Sequence, residues 1–173
     1  ITVISEYVKK DLLSHIHVGK KPLHVIYNGI KDTDTEQQEK PKFIHDNQPF
    51  FFTIGQTRAK KNFQSLIPMM KFLPEYKLYI CGKPYEKYIH HLEALKEEWA
   101  TENVIFPGEI SNAEKNWMYA HCKAFLFPSL LEGFGLPVLE AMRFNTKVFA
   151  SQYTSLPEIC KNHATYFDSY IPE

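Results

Sequence analysis

The chain has 173 residues, of which 44% are hydrophobic and 23% charged, enough for one domain with a sizeable buried core. Its 20 basic residues balance 20 acidic ones, so bulk charge gives no case for nucleic acid or an acidic membrane as partner. Cys81, Cys122 and Cys160 are odd in number, far apart and set among apolar residues, a pattern of buried free thiols in a reducing compartment. No apolar run reaches the length of a membrane span and no signal peptide is visible. The sequence opens on Ile1-Thr2-Val3-Ile4, already strand-like and without an initiator Met, and is expected to be an excised piece of a larger protein.

In chain order, Ile1 to Ile4 reads as a strand, and Ser5 can cap the helix that follows. In that helix Val8 and Leu12 fall one turn apart, and Leu13 and Ile16 broaden the apolar face. Leu23 to Tyr27 is a second strand, closed by the turn signal Asn28-Gly29. Residues 31–48 are polar and unpatterned, a solvated loop or linker. Phe50 to Ile54 is a buried strand ended by Gly55. Asn62 is placed to cap a helix carrying Phe63, Leu66, Ile67 and Met70, which Pro68 should kink or shorten. Lys77 to Cys81 is a strand ending in Gly82, Tyr85 to Ala100 a charged amphipathic helix, and Asn103 to Phe106 a strand ended by Pro107-Gly108. Ser111 and Glu114 have capping-box spacing before a helix through Ala120. Ala124 to Phe127 and Lys147 to Ala150 are strands, Ser155-x-x-Glu158 should cap a short helix, and Thr165 to Phe167 adds an edge strand.

Strands and helices alternate with short connections, which implies a Rossmann-like α/β fold: a parallel sheet covered by helices on both faces. Ligands of such sheets bind beyond the carboxyl ends of the strands, near a topological switch point. The loops at Gly55, Gly82, Gly108 and Glu132–Gly135 all follow strands and should line one crevice. The last is the most informative. It joins the strand Ala124–Phe127 to a helix in which Pro137 suits the first turn and Leu139 and Met142 keep helical spacing. Free N–H groups at such a helix start favour an anion. Glu132 precedes the turn, and Glu140 is expected in the first helical turn, so a ligand with both phosphates and hydroxyls is implied.

The run Glu132-Gly133-Phe134-Gly135-Leu136-Pro137-Val138-Leu139-Glu140-Ala141-Met142 resembles the E-x7-E signature of retaining glycosyltransferases of family 4, whose fold is the two-domain GT-B. The likeness extends from Ile1 to Phe167 and matches the family's nucleotide-sugar-binding C-terminal domain, with residues 1–173 as that domain and the N-terminal acceptor-binding domain absent. Ile4-Ser5-Glu6 and Val25 to Ile30 resemble the segments by which the family's chain enters this domain. The resemblance implies a nucleoside-diphosphate sugar as donor, a saccharide or lipid-linked glycan as acceptor through the missing domain, and an isolated domain with little or no transfer of its own. It implies a cytoplasmic protein, with peripheral association at the inner face of the membrane open to the full protein. Glu140 matches the glutamate that accepts hydrogen bonds from the ribose hydroxyls, and Glu132 the one near the donor sugar. The backbone N–H groups of Gly133, Phe134, Gly135 and Leu136 would face sugar and diphosphate.

Gly55-Gln56-Thr57-Arg58-Ala59-Lys60-Lys61-Asn62 resembles the family's diphosphate loop. Lys61 stands at the position of the family's lysine. Gln56 stands where many members carry arginine, and Arg58, basic and near, is the substitute. Cys81-Gly82-Lys83 and Phe106-Pro107-Gly108 resemble the segments that meet the base, with Glu109 and Ile110 the nearest candidates there. A solvated basic helix start is the plainer reading of Lys61 and Arg58, and a dipole-stabilising carboxylate that of Glu140. No metal is expected. Asp32-Thr33-Asp34 has Asp-x-Asp spacing but lies in a polar loop with no strand before it, and His15/His17 and His90/His91 lack a third ligand. A GT-B nucleotide-sugar epimerase and a non-catalytic sugar-nucleotide or interaction module are the competing readings.

Overall fold

A computed structural model describes residues 1–30 and 37–171; Asp32, Thr33 and Asp34 lie outside the described residues. The chain begins with β1 (Thr2–Val3), α1 (Glu6–His15) and β2 (His24–Val25), and the two strands pair in parallel as a small sheet of their own. The main sheet is built from β3 (Phe50–Ile54), β4 (Lys77–Cys81), β5 (Val104–Gly108), β6 (Ala124–Phe127), β7 (Val148–Ala150) and β8 (Thr165–Tyr166). Between them run α2 (Leu66–Met69), α3 (Glu86–Trp99), α4 (Asn112–His121), α5 (Leu136–Arg143) and α6 (Leu156–Cys160). Every pairing is parallel and the strand order is β5-β4-β3-β6-β7-β8. The chain thus steps outward from β3 to β5, then returns to the other side of β3. That reversal is the doubly wound order, and its switch point lies between β3 and β6.

The expected α/β fold, with helices on both faces, is therefore what forms. The reason is legible along each strand. On β4, Leu78 and Ile80 enter one apolar cluster with Leu66, Ile67 and Leu92, while Tyr79 and Cys81 enter the opposite one with Phe52, Phe125 and Val138. On β6, Ala124 and Leu126 alternate with Phe125 and Phe127 in the same way. Both faces of these strands are buried, so they read as unbroken apolar runs rather than alternating ones. Burying one such phenylalanine stabilises the fold by roughly 1.5–3 kcal/mol. Burial pushes the thiols of Cys122 and Cys160 up to about 12, and that of Cys81 higher still; all three cysteines are free.

Several local expectations are corrected. Asn62 does not cap a helix: it sits in the left-handed region at φ 55°, and the chain runs through 3-10 turns at Phe63–Ser65 and Met70–Phe72 around the short α2 that contains Pro68. Pro68 lacks the N–H that a longer ladder would need. Ser155 makes no side-chain cap on α6, and Glu158 serves a different helix. The 31–48 stretch is not wholly solvated, since Ile44 is buried and Phe43 packs on Tyr79. Leu13 and Ile16 do not join the core but stay about half exposed, and α1 buries none of its residues. Pro107 lies inside β5, which is tolerated because β5 is an edge strand. Among the described residues, no helix is long and apolar enough to cross a membrane.

Candidate functional site

The loops after β3 and β6 flank the switch point, and they meet through charge. Lys61 ends the 3-10 turn Ala59–Lys61, and its Nζ donates to Oε1 of Glu132 at 2.5 Å. Each side chain is only 14% exposed, so the pair is screened from bulk water on most sides. Such a pair is expensive to break from one side, because the remaining charge stays buried without a partner. The ammonium also lies 5.1 Å from the centre of the Phe127 ring. Ser129, which is 1% exposed, donates its hydroxyl to the same Oε1 at 2.7 Å. The two loops are stitched at the backbone as well, with Leu130 N–H donating to Lys60 O at 2.8 Å.

The loop Glu132–Gly135 is held from below by the segment before α6. Glu132 N–H donates to Thr154 Oγ1 at 3.1 Å, and Ser155 Oγ donates to Glu132 O at 3.1 Å. Gly135 is the N-cap of α5 at φ 98°, and a Cβ there would stand 2.6 Å from Leu156 Cδ2. Both the backbone angle and the close approach require glycine. No side chain caps this helix; in its first turn Val138 N–H donates to Gly135 O at 3.1 Å and Pro137 has no N–H. Gly82 has the same logic more sharply: a Cβ would lie 2.2 Å from Gly55 O. Gly55 itself carries the Lys61 stem across its α-carbon, where an added Cβ would stand 3.4 Å from Lys61 Cε.

Glu140 does not lie in the first turn of α5, as its sequence position suggested, but past it. That removes the plain reading of a carboxylate placed for the helix dipole, which acts within the first turn. It faces α4 instead. Its Oε2 accepts from the Tyr119 hydroxyl at 3.0 Å and pairs with Lys115 Nζ at 3.1 Å. Burial, then the Glu140 charge, holds the Tyr119 hydroxyl well above its ordinary value, so it stays protonated and donates. Both contacts use one oxygen of the carboxylate, and the side chain is 29% exposed.

Arg58 is not drawn to Glu132. It is exposed, and its guanidinium lies 5.5 Å from the centre of the Tyr85 ring, at the mouth of a cleft of about 310 Å³ that Ala59, Lys87 and Tyr88 also line. Glu109 is exposed beyond β5, whereas Ile110 packs against the core. Gly108 is tied to the Gly82 loop through Gly82 N–H donating to Gly108 O at 2.7 Å. The fold therefore brings Lys61, Glu132, Gly133, Phe134, Gly135 and Leu136 together at the switch point. Gly55, Gly82 and Glu109 lie on neighbouring strand ends, and Glu140 and Arg58 keep separate partners. Among the described residues, no cluster of three or more His, Cys, Asp or Glu is arranged to hold a metal ion.

Sequence reasoning gave no site role to Ser129, Thr154, Ser155, Lys115 or Tyr119. Lys115 and Tyr119 are one turn apart on α4 and so share a face. Nothing in their spacing says that this face meets α5.

Residues 34–170 match the family model described as "Glycosyl transferases group 1". The chain belongs to that family. As a group 1 glycosyl transferase it is 29% identical over 169 residues to the O-antigen chain mannosyltransferase RfbU of Salmonella typhimurium, an alignment covering 96% of this chain and 46% of RfbU. It is 33% identical over 117 residues to the serotype-specific mannosyltransferase WbdA of Escherichia coli, covering 64% of this chain and 14% of WbdA. The chain thus spans less than half the length of these curated relatives. Among solved structures, HepE of Anabaena in complex with UDP and glucose superposes with a TM-score of 0.82 at 18% identity over 98% of this chain and 49% of that one. Sucrose-phosphate synthase of Thermosynechococcus elongatus gives 0.80 at 20% identity over 98% of this chain and 45% of that one. Those likenesses establish the fold, the Rossmann-like unit of the GT-B glycosyltransferases.

Proposed function

We propose that this group 1 glycosyl transferase chain is the donor-binding, C-terminal domain of a retaining enzyme of family 4, and that its crevice takes a nucleoside-diphosphate sugar. The observation that carries the reading is the Lys61–Glu132 pair, set at the sheet's switch point beside the uncapped start of α5. Glycosyl transfer places growing negative charge on the leaving diphosphate, and fixed cations and oriented N–H donors are what stabilise it. Lys61 and the N–H groups of Gly135 and Leu136 supply both, with exposed Arg58 reaching the outer phosphate. Glu132, its oxygen fixed by Ser129, accepts from the sugar hydroxyls. Glu140, oriented by Tyr119 and Lys115 through one oxygen, presents the other to the ribose diol.

No protein nucleophile is required if the departing phosphate deprotonates the acceptor on the same face, and no residue here is given that part. The donor sugar is read as mannose, because the relatives named above are mannosyltransferases. The acceptor is a saccharide or a lipid-linked glycan, held by a further domain that precedes this one, with the full protein working in the cytoplasm at the membrane's inner face. The donor is a substrate, and the reading needs no metal or other cofactor.

Thermal melting of the chain against a panel of GDP-, UDP- and ADP-sugars tests the proposal. One nucleotide series should raise the melting temperature by several degrees at 100 times its Kd, where ligand linkage adds about 2.7 kcal/mol. Unchanged melting with every member at millimolar concentration would overturn it.

A further inference from the structure

Glu158 is an unusual carboxylate. It stands on α6, yet both of its oxygens are spent on another helix: Oε1 accepts from Glu6 N–H at 2.8 Å and Oε2 from Tyr7 N–H at 3.0 Å, at the very start of α1. The hydroxyl of Tyr27, from the stretch after β2, is held above its ordinary value chiefly by the same carboxylate. The third donor of that helix start, Val8 N–H, goes to Ser5 Oγ at 3.1 Å. Ser5 is fully buried, and its hydroxyl proton is donated to the carbonyl of Gly133 at 2.8 Å. Around this bond the surfaces are close. A Cβ on Gly133 would stand 3.3 Å from Ile4 Cδ1, and the Tyr27 and Phe134 rings lie 6.0 Å apart.

The Glu132–Gly135 loop is thus gripped from two sides. The α6 side holds Glu132 through Thr154 and Ser155 and crowds Gly135 with Leu156. The α1 side holds the Gly133 carbonyl and covers Phe134. Glu158 is what ties the second grip to the first, since it belongs to α6 and clamps α1.

We infer that Glu158 is a positioning residue for the Glu132–Gly135 loop, acting through the start of α1 and Ser5 to fix the peptide between Gly133 and Phe134 and so the direction of the loop's N–H groups. It touches neither donor nor reacting atoms. The carboxylate is required because two adjacent N–H groups and a hydroxyl need acceptors at once, and its charge suits the helix start. A glutamine offers one oxygen and turns an NH₂ toward a backbone N–H. Loosening that clamp frees Ser5, and the Gly133 carbonyl loses its fixed donor. As far as donor affinity is concerned, the inference rests on the crevice reading above; the loop geometry does not depend on it.

The test is amide NMR spectroscopy of the chain together with nucleoside-diphosphate titration, on wild type, Glu158→Gln and Ser5→Ala. Both variants should move the Phe134 and Gly135 amide signals in the same direction while those of β4 stay in place. The double variant should add little to either. The Kd for the nucleoside diphosphate that wild type binds should rise roughly threefold to thirtyfold in each, the range seen for residues that act through others. Unmoved Phe134 and Gly135 signals in Glu158→Gln, with only α1 amides shifted, would overturn the inference. If Glu158→Gln fails to fold, Glu158→Asp, which keeps the charge but shortens the reach to the start of α1, takes its place with the same signals expected to move. Absence of any nucleotide binding by wild type would sink the crevice reading and leave the NMR arm to judge the positioning role.

Discussion

Lys61 and Glu132 neutralise each other, at 2.5 Å and with little exposure. In the donor site proposed above, a diphosphate entering beside them would compete with Glu132 for the ammonium, while a sugar hydroxyl would draw on the carboxylate. That arrangement has a consequence that separates the two glutamates. Glu132→Gln leaves Lys61 without its anion, so a bare nucleoside diphosphate should bind about threefold to tenfold tighter, a gain of roughly 0.7–1.4 kcal/mol. The advantage of the sugar-bearing donor over the bare diphosphate should vanish in the same variant. Competitive titration of the diphosphate and its sugar ester checks both; weaker diphosphate binding in Glu132→Gln would contradict the assignment. Ser129 keeps its second acceptor, Lys60 O at 3.2 Å, so the variant retains a bonded hydroxyl.

At the scale of elements, α1 is the informative helix. It buries none of its residues, and its first-turn donors are satisfied by Glu158 and Ser5 rather than by packing. For Glu158, burial pulls the carboxyl upward, but the bonds from Glu6 N–H, the Tyr27 hydroxyl and Tyr7 N–H, with the charge of Lys10, outweigh it and hold the group below its ordinary 4.5. A carboxyl lowered on folding contributes stability that is present in full above the unfolded value and is lost as pH falls through the folded one. The gap in melting temperature between wild type and Glu158→Gln should therefore be widest above about pH 4.5 and narrow as the pH falls below it. A gap independent of pH would mean that charge plays no part in docking α1.

These elements also show what could be read from the sequence. The strands at Phe50–Ile54, Lys77–Cys81 and Ala124–Phe127 were legible to the residue, because a strand buried on both faces leaves a near-continuous apolar run, interrupted here only by Thr53 and Lys77. The capping box of Ser111 and Glu114 was legible because both partners lie within one turn. Ser155 and Glu158 carry the same spacing and do something else: the serine reaches Glu132 and the glutamate reaches α1, contacts set by tertiary neighbours far along the chain. Asn62 misled for a related reason, since its residue type also suits the left-handed turn it adopts. The Lys61–Glu132 pair could be expected only as two loops lining one crevice; their direct contact, and the Ser129 hydroxyl on the same carboxylate oxygen, needed the fold.

For the molecule as a whole, the doubly wound sheet brings the β3 and β6 loops together at its switch point, where Lys61 meets Glu132. The proposed donor site requires Lys61 and Glu140 to serve one ligand. Isothermal calorimetry of the preferred nucleoside diphosphate with wild type, Lys61→Ala and Glu140→Gln tests this most directly. Wild type should bind at one site, and Lys61→Ala should lose about tenfold to a hundredfold in affinity, the worth of a charge-assisted hydrogen bond of roughly 1.5–3 kcal/mol. Glu140→Gln should lose about tenfold for the nucleotide and nothing for inorganic diphosphate, which has no ribose. Undiminished nucleotide binding by both variants would contradict the account.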